Sequence, residues 1–434
     1  MKKIMALLLA LPLSLGVLSG CNSPSGESKS SDSSAESKKL VVWCWDMGFN
    51  GAAMEAAAEI YKQTVPGFEL EVVDQGDWDT VQTKLTTIAS SKDYSQLPDI
   101  FLIQDNAFQK NYVSFPDIFV DLSNTAIDYS KFAEGKTGYS VVDGKNYGVP
   151  FDNGAVIYGY RTDVLSQAGY AVDDFTEITW SKWMEQAKDV LAKTGKPLLS
   201  CQSGSSDVIN MMLQSAGASL FDEQGNANIV NNDVLYKVSD TYIQMLADGT
   251  LVEATDWSGY TDSFTSGAVA GTMTGCWIAA TIQSAEDQKG LWEITNMPAL
   301  DGVEGATNYS NNGGSSWAVT ANCKDLDLAA DFFAKTFGGS TELYDKVASA
   351  GVLSTYLPAA DSKVYAEPNE FFGGQAIMSV ITEFAGHVPS IRGGAYYYDA
   401  RDAVCNAIVK IQSGADARTA FQEAEDTVNF MMGK

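Results

Sequence analysis

The sequence predicts an α/β protein built as two domains. A chain of 434 residues exceeds what one hydrophobic core organises. Beyond the N-terminal region, strand-like and helix-like stretches alternate, which implies parallel pairing with right-handed crossovers. Midway, the stretch Asp143 to Asp163 (DGKNYGVPFDNGAVIYGYRTD) sets polar and glycine residues between two strands, where a connection between lobes would place ligand-facing groups. Hydrophobic content of 45% with 11% aromatics is ample for sizeable cores. Lys+Arg 28 against Asp+Glu 55 gives a net charge of -27, which argues against nucleic acid or an anionic membrane face as partner. Solubility is the simplest consequence.

Leu40 to Trp45 (LVVWCW) is an apolar run of strand length, followed by a polar turn from Asp46 to Asn50. Trp43 and Trp45 are expected on opposite faces, with Trp45 the candidate at the strand end. An Ala-rich helix from Gly51 to Thr64 is stopped by Pro66-Gly67. Phe68, Leu70 and Val72 alternate with Glu69 and Glu71, the period of a strand with one wet face. Val81, Leu85, Ile88 and Ala89 recur at helical spacing, and Asp99 to Ile103 is a further strand. Ligands of such sheets sit outside the carboxyl ends of the strands. That rule selects Trp45-Asp46, Gln75 to Trp78, and Gln104 to Asn106.

Asp143-Gly144 lies between the apolar runs Tyr139 to Val142 and Tyr147 to Phe151, a hairpin signal because both central positions of the tight turn need positive φ. Pro150 and Asn153-Gly154 then lead into Ala155 to Tyr160, a buried strand. Thr179 caps a helix carrying Trp183, Ala187, Val190 and Leu191. Pro197 to Cys201 is a short strand running into the polar loop Gln202 to Asp207, and Val208 to Ser215 resumes helix. Phe221 to Asn228 (FDEQGNAN) reads as a turn, since it lacks the terminal bidentate Glu of a calcium loop. Leu235, Val238, Tyr242, Met245 and Leu246 line a helix ending near Asp248-Gly249.

At the N-terminus Lys2 and Lys3 precede the apolar run Ile4 to Val17, too short for a comfortable membrane span, which ends in Leu18-Ser19-Gly20-Cys21. This resembles a bacterial lipobox, which implies that Cys21 is lipidated and becomes the mature N-terminus. Acylation with more than one chain meets the need for lasting membrane attachment. The Ser-rich segment after it, to Lys39, cannot bury enough surface to fold and reads as a tether. Cys44, Cys201, Cys276, Cys323 and Cys405 are odd in number with no C-x-x-C, so buried free thiols are expected rather than a disulfide framework or zinc site.

Five segments carry a family resemblance. Asp143 to Gly169 resembles the pattern "GK-x-YG-x-P…x-YN-x-D-x-L…AG", ending here in Tyr160, Arg161, Asp163, Leu165, Ala168 and Gly169. Phe264 to Ile282 (FTSGAVAGTMTGCWIAATI) resembles "F-x-x-G-x-A-A-M-x-x-x-G-x-W" through Phe264, Gly267, Met273, Gly275 and Trp277, with Ala270 and Gly271 at the small positions. Asn312-Gly313-Gly314 before Ser316 to Thr320 resembles a second return into a strand, followed by a helix from Ala329 to Phe337. Leu357-Pro358-Ala359 and the run from Val388-Pro389 through Arg392-Gly393-Gly394 to Tyr396, Tyr397 and Tyr398 complete the set. These patterns resemble extracellular solute-binding protein family 1, the maltose-binding-protein-like proteins that serve carbohydrate ABC importers. The likeness spreads over nearly all of the mature chain.

The resemblance implies a two-lobe periplasmic-binding-protein-like fold of type II, each lobe a sheet flanked by helices and the two joined by a multi-strand hinge. It implies a signal peptide over 1–20, a tether over 21–39, an N-terminal lobe from 40–151 and 311–368, and a C-terminal lobe from 152–310 and 369–434. It further implies capture of a mono- or oligosaccharide between the lobes and delivery to ABC permease subunits. Such a protein would be a monomer, anchored by Cys21 on the extracytoplasmic face, with no cofactor, metal or nucleic-acid partner.

Sugar sites need flat apolar faces for ring C–H surface, and amide, carboxylate or guanidinium groups for hydroxyls. Trp45, Trp78, Trp257, Trp277 and the three tyrosines, Tyr397 chief among them, are candidates for the first kind. Trp317, inside an apolar strand, is expected in the core. Asp46, Gln75, Gln104, Asp105, Asp152, Asn153, Gln202, Asn312 and Arg392 are candidates for the second kind, with Gly314 at the return crossing. In the family, a tryptophan at the position of Trp277 commonly stacks on a sugar ring. Catalysis has little support: His387 is the only histidine, acidic pairs such as Asp77 and Asp79 arise by chance among 55 acidic residues, and no G-x-S-x-G, G-x-G-x-x-G or Walker loop is present. Two alternatives stay open. Adjacent tyrosines could bind ferric ion through phenolate oxygen, and a lipid-anchored glycoside hydrolase would share sugar-binding tryptophans but release cleaved product.

Overall fold

The computed structural model describes residues 38–132, 134–389 and 393–434. Cys21, the signal segment and Arg392 lie outside the described residues. The first sheet begins with β1 (Lys39–Cys44), which pairs in parallel with β2 (Glu69–Asp74) and with β3 (Ile100–Gln104). Helices Ala52–Thr64 and Trp78–Ser91 make the two crossovers, the alternation that the sequence predicts. A hairpin follows, β4 (Val141–Val142) with β5 (Lys145–Asn146), turning through Asp143 at φ 50° and Gly144 at φ 75°. Only short polar or glycine residues turn there without strain. The sheet is completed by β6 (Val149–Pro150) at its edge and by β12 (Ser315–Val319), which lies antiparallel to both β3 and β6. Its order is β2-β1-β3-β12-β6.

The second sheet centres on β7 (Val156–Arg161), flanked antiparallel by β10 (Gly271–Gly275) and β11 (Trp292–Thr295). Beside it β8 (Leu199–Gln202) and β9 (Leu251–Ala254) form a parallel pair. Both sheets are covered on two faces, and the period of two along the central strands shows it. In β3, Ile100 and Leu102 join the core with Tyr61, Phe332 and Phe333, while Phe101 and Ile103 join that of Val81, Leu85 and Phe108. In β7, Val156, Tyr158 and Tyr160 enter the core built by Trp183, Leu235 and Val404; Ile157 enters that of Ile278, Ile282 and Ile381. The result is the two-lobe, type II arrangement of helix-flanked sheets.

Local signals act as their chemistry dictates. Thr179 accepts from the Lys182 N–H at the start of helix Trp180–Thr194, and Gly249 ends helix Asp233–Asp248 at φ 71°. Asp222 folds its turn by accepting from the N–H groups of Gln224 and Asn226. Trp317 is fully buried. Two expectations need correction. Trp43 and Trp45 share a face, as residues two apart on a strand must, and both pack half-buried against the Val81 and Leu85 core. The five cysteines are free, but Cys323 is only half-buried.

Candidate ligand-binding cleft

The chain passes between the sheets on two adjacent strands of backbone. Asn312 N–H donates to Gly154 O at 2.8 Å, Asn311 Oδ1 accepts from Gly154 N–H at 3.0 Å, and Phe151 N–H donates to Ser315 O at 3.0 Å. The approach is so close that a Cβ on Gly154 or on Gly275 would stand 2.3 Å from Asn312 O. Trp277 immediately precedes helix Ile278–Gln283, and its indole Nε1 donates to Asn312 O at 2.9 Å. Its half-buried ring packs on the Phe151 and Trp317 core of the first lobe as well as on the Ile157 and Ile278 core of the second.

Under this crossing two buried carboxylates share one lysine. Asp105 pairs with Lys136 and accepts from Ser316 Oγ at 2.8 Å, while Lys136 also donates to Ser315 O at 3.2 Å. Asp152 accepts from Ser315 N–H at 2.7 Å. Burial pushes its carboxyl up to about 6; Lys136 pulls against this shift and Asp105 adds to it. Gly314, at φ 96°, lies over the Asp105–Lys136 pair.

Beside Trp277 the second lobe presents an open recess. Trp257 is 46% exposed, and its ring lies 5.7 Å from that of Trp277 at 41°. Gln202, Ser205, Asp207, Tyr260 and Thr274 line the recess with it. Thr274 Oγ1 accepts from Asn312 Nδ2 at 2.9 Å, so the recess adjoins the crossing. Helix Asp207–Ser215 begins at its rim, and Arg401 ties down that turn through Ser206 Oγ and Asp207 Oδ1. The Arg401 guanidinium also lies against the rings of Tyr397 and Tyr398, at 5.4 and 5.2 Å. A cation already seated on both rings makes this pair of phenols a poor cradle for ferric ion.

On the first lobe Trp45 and Trp78 meet edge to face, with centroids 5.7 Å apart. Asp46 is exposed at φ 55° in the turn after β1. Gln75 is buried and accepts from Lys84. Gln104, at the end of β3, accepts from the Tyr398 hydroxyl at 2.5 Å, although Tyr398 belongs to helix Tyr397–Gln412 of the second lobe.

Of the residues singled out from sequence, the structure thus joins Trp277 with Asn312, Trp45 with Trp78, and Asp105, Asp152 and Gly314 around Lys136. Asn153 is half-buried at the crossing, where its carbonyl accepts from the Cys276 thiol at 3.3 Å. Gln202 stands at the recess, and Tyr397 is buried against Arg401. Sequence reasoning missed Lys136 and Arg401 altogether. A lysine or arginine in a polar stretch carries no signal of burial when its partners are 31 and 195 residues away.

Residues 56–373 match the family described as bacterial extracellular solute-binding protein, and the chain belongs to that family. It is 34% identical, over 389 residues, to a lactose-binding protein of Rhizobium radiobacter, covering 89% of this chain and 92% of that one. Among solved structures it resembles the GacH receptor of Streptomyces glaucescens GLA.O, with TM-score 0.78 at 16% identity over 91% of this chain and 98% of that one. It also resembles an ABC transporter associated binding protein from B. animalis subsp. lactis Bl-04 in complex with beta-1,6-galactobiose, with TM-score 0.75 at 20% identity over 91% and 96% of the two chains. The solved structures share its fold.

Proposed function

We propose that this protein is the receptor of a sugar ABC importer, anchored through Cys21 on the extracytoplasmic face, that closes its lobes on a mono- or oligosaccharide and hands it to the permease. One observation carries the reading: a half-exposed indole, Trp257, beside a second indole pinned at the crossing, Trp277, above a recess of hydroxyl, amide and carboxylate groups. Flat apolar faces beside a few convergent polar groups suit a pyranose, which offers C–H surface on one side and hydroxyls around its rim. The lactose-binding relative, similar over most of both chains, makes lactose the first ligand to try. Trp257, Trp277, Gln202 and Asp207 would meet the sugar from the second lobe, with Trp45, Asp46 and Trp78 facing it from the first. Asp105, Asp152 and Asn312 would brace the crossing between lobes made of 40–151 with 311–368 and of 152–310 with 369–434. Closure follows from a ligand that touches both lobes, because it shifts the balance only by its differential affinity for the closed form.

Calorimetric titration with lactose, other galactose-bearing disaccharides and maltose tests this, with chromatography of the sugar afterwards. Saturable binding with the sugar recovered intact is expected. No binding across the panel, or recovery of cleaved product, would defeat the reading.

A further inference from the structure

The geometry points to a two-point clasp between the lobes, formed by Tyr398 on Gln104 and Asp399 on Lys110, that holds the closed form. The proposal rests on the reading of the protein as a two-lobe receptor, and it concerns contacts that need no ligand. Gln104 ends β3, and Lys110 lies on helix Asp105–Ser114, which continues from that strand in the first lobe. Tyr398 and Asp399 open helix Tyr397–Gln412, whose Ala400, Val404, Ala407 and Ile408 are buried in the core of the second lobe. Each half of the clasp is therefore rooted in a different core.

Tyr398 donates to Gln104 Oε1 at 2.5 Å, and Lys110 Nζ stands 2.6 Å from both oxygens of Asp399. The ion pair is not an ordinary surface one. The Asp399 side chain is only 16% exposed, so the attraction is screened less than between two solvated groups. Arg401 fixes the donor side of the clasp, because its guanidinium lies against Tyr398 while Ser206 and Asp207 hold its other edge. Opening the lobes would separate both contacts at once, whereas neither lies within a lobe. They consequently act on the open–closed balance and not on the stability of either half.

A double-mutant cycle on Lys110→Met and Asp399→Asn, with Tyr398→Phe as an independent arm, tests the clasp. Small-angle scattering with and without lactose reads the closed fraction, the melting temperature of the apo protein checks folding, and stopped-flow release reads the sugar off-rate. Each single variant is expected to enlarge the apo or sugar-loaded radius of gyration and to speed release about five- to tenfold. Combining Lys110→Met and Asp399→Asn should add little to either alone, since they break one contact. Unchanged radius and release in all variants, or strictly additive effects of the pair, would overturn the clasp. A wild type that binds no sugar of the panel, yet expands in solution when the clasp is cut, would sink the sugar reading alone.

Discussion

The indole N–H of Trp277 donates to the backbone carbonyl of Asn312 at 2.9 Å, so the edge of the ring is bound to the strand that returns between the lobes. A tryptophan held by its edge keeps a face to offer. Its ring also packs on the cores of both lobes, so the proposed sugar contact would be a second purpose beside that packing. Trp277→Ala should weaken sugar binding at least tenfold and also lower apo stability by about 2 kcal/mol, less than the loss of a fully buried tryptophan. Trp277→Phe keeps a flat face but no donor, and should recover part of the affinity. Paired calorimetry and denaturant melts check both.

Trp257 separates the two purposes. At 46% exposure it has only about half its surface to lose from burial, so Trp257→Ala should lower apo stability by about 1 kcal/mol, less than Trp277→Ala. Sugar affinity should nevertheless fall about tenfold, since a stacked aromatic face is removed from the ligand. An unchanged dissociation constant would show that the ligand lies elsewhere.

How much of this was legible in the sequence depends on the range of the interaction. The Asp143-Gly144 turn, the Thr179 cap and the buried stripe of helix Asp233–Asp248 are written within a few residues, and each formed where its pattern stood. Trp277 was legible only through the family resemblance, whose pattern implies a strand-to-helix turn at this point, and the strand Gly271–Gly275 and helix Ile278–Gln283 stand on either side of it. Helices Trp257–Thr265 and Ile377–Ala385 were not anticipated; the first is polar and short, and the second is apolar enough to pass for a buried strand. The burial of Lys136 and Arg401 was not legible, because it is decided by carboxylates brought in from distant segments. The correction to Trp43 and Trp45 was available from strand geometry alone.

The narrow crossing predicts a steric result. A methyl at Gly154 would meet Asn312 O at 2.3 Å, and both partners are backbone that cannot rotate away. Gly154→Ala should therefore destabilise by about 1–3 kcal/mol, as overpacking commonly does. Because the two crossing strands would be forced apart, the sugar-bound closed form should suffer more than the open one. Melting with and without saturating sugar reads the difference: the ligand-induced shift in Tm should shrink in the variant.

Asp152 makes a prediction about pH. Its folded carboxyl is pushed up to about 6 by burial, against an ordinary aspartate value of about 3.9 in the unfolded chain. Between those values the folded state holds a proton that the unfolded state has lost, so stability falls as pH rises through this window. Above it the penalty is complete and amounts to about 3 kcal/mol at 1.36 kcal/mol per unit. Asparagine at 152 carries no charge at any pH, can still accept from Ser315 N–H, and leaves Lys136 to Asp105 alone. Asp152→Asn should then be more stable than wild type at pH 7, and the advantage should vanish on acidification to pH 4. Denaturant melts of the two proteins from pH 4 to 8 give the difference directly, with shifts at carboxylates other than the neighbouring Asp105 cancelling between them. A difference that stays constant across the range would mean that Asp152 remains ionised in the fold, held by Lys136 more strongly than its burial opposes.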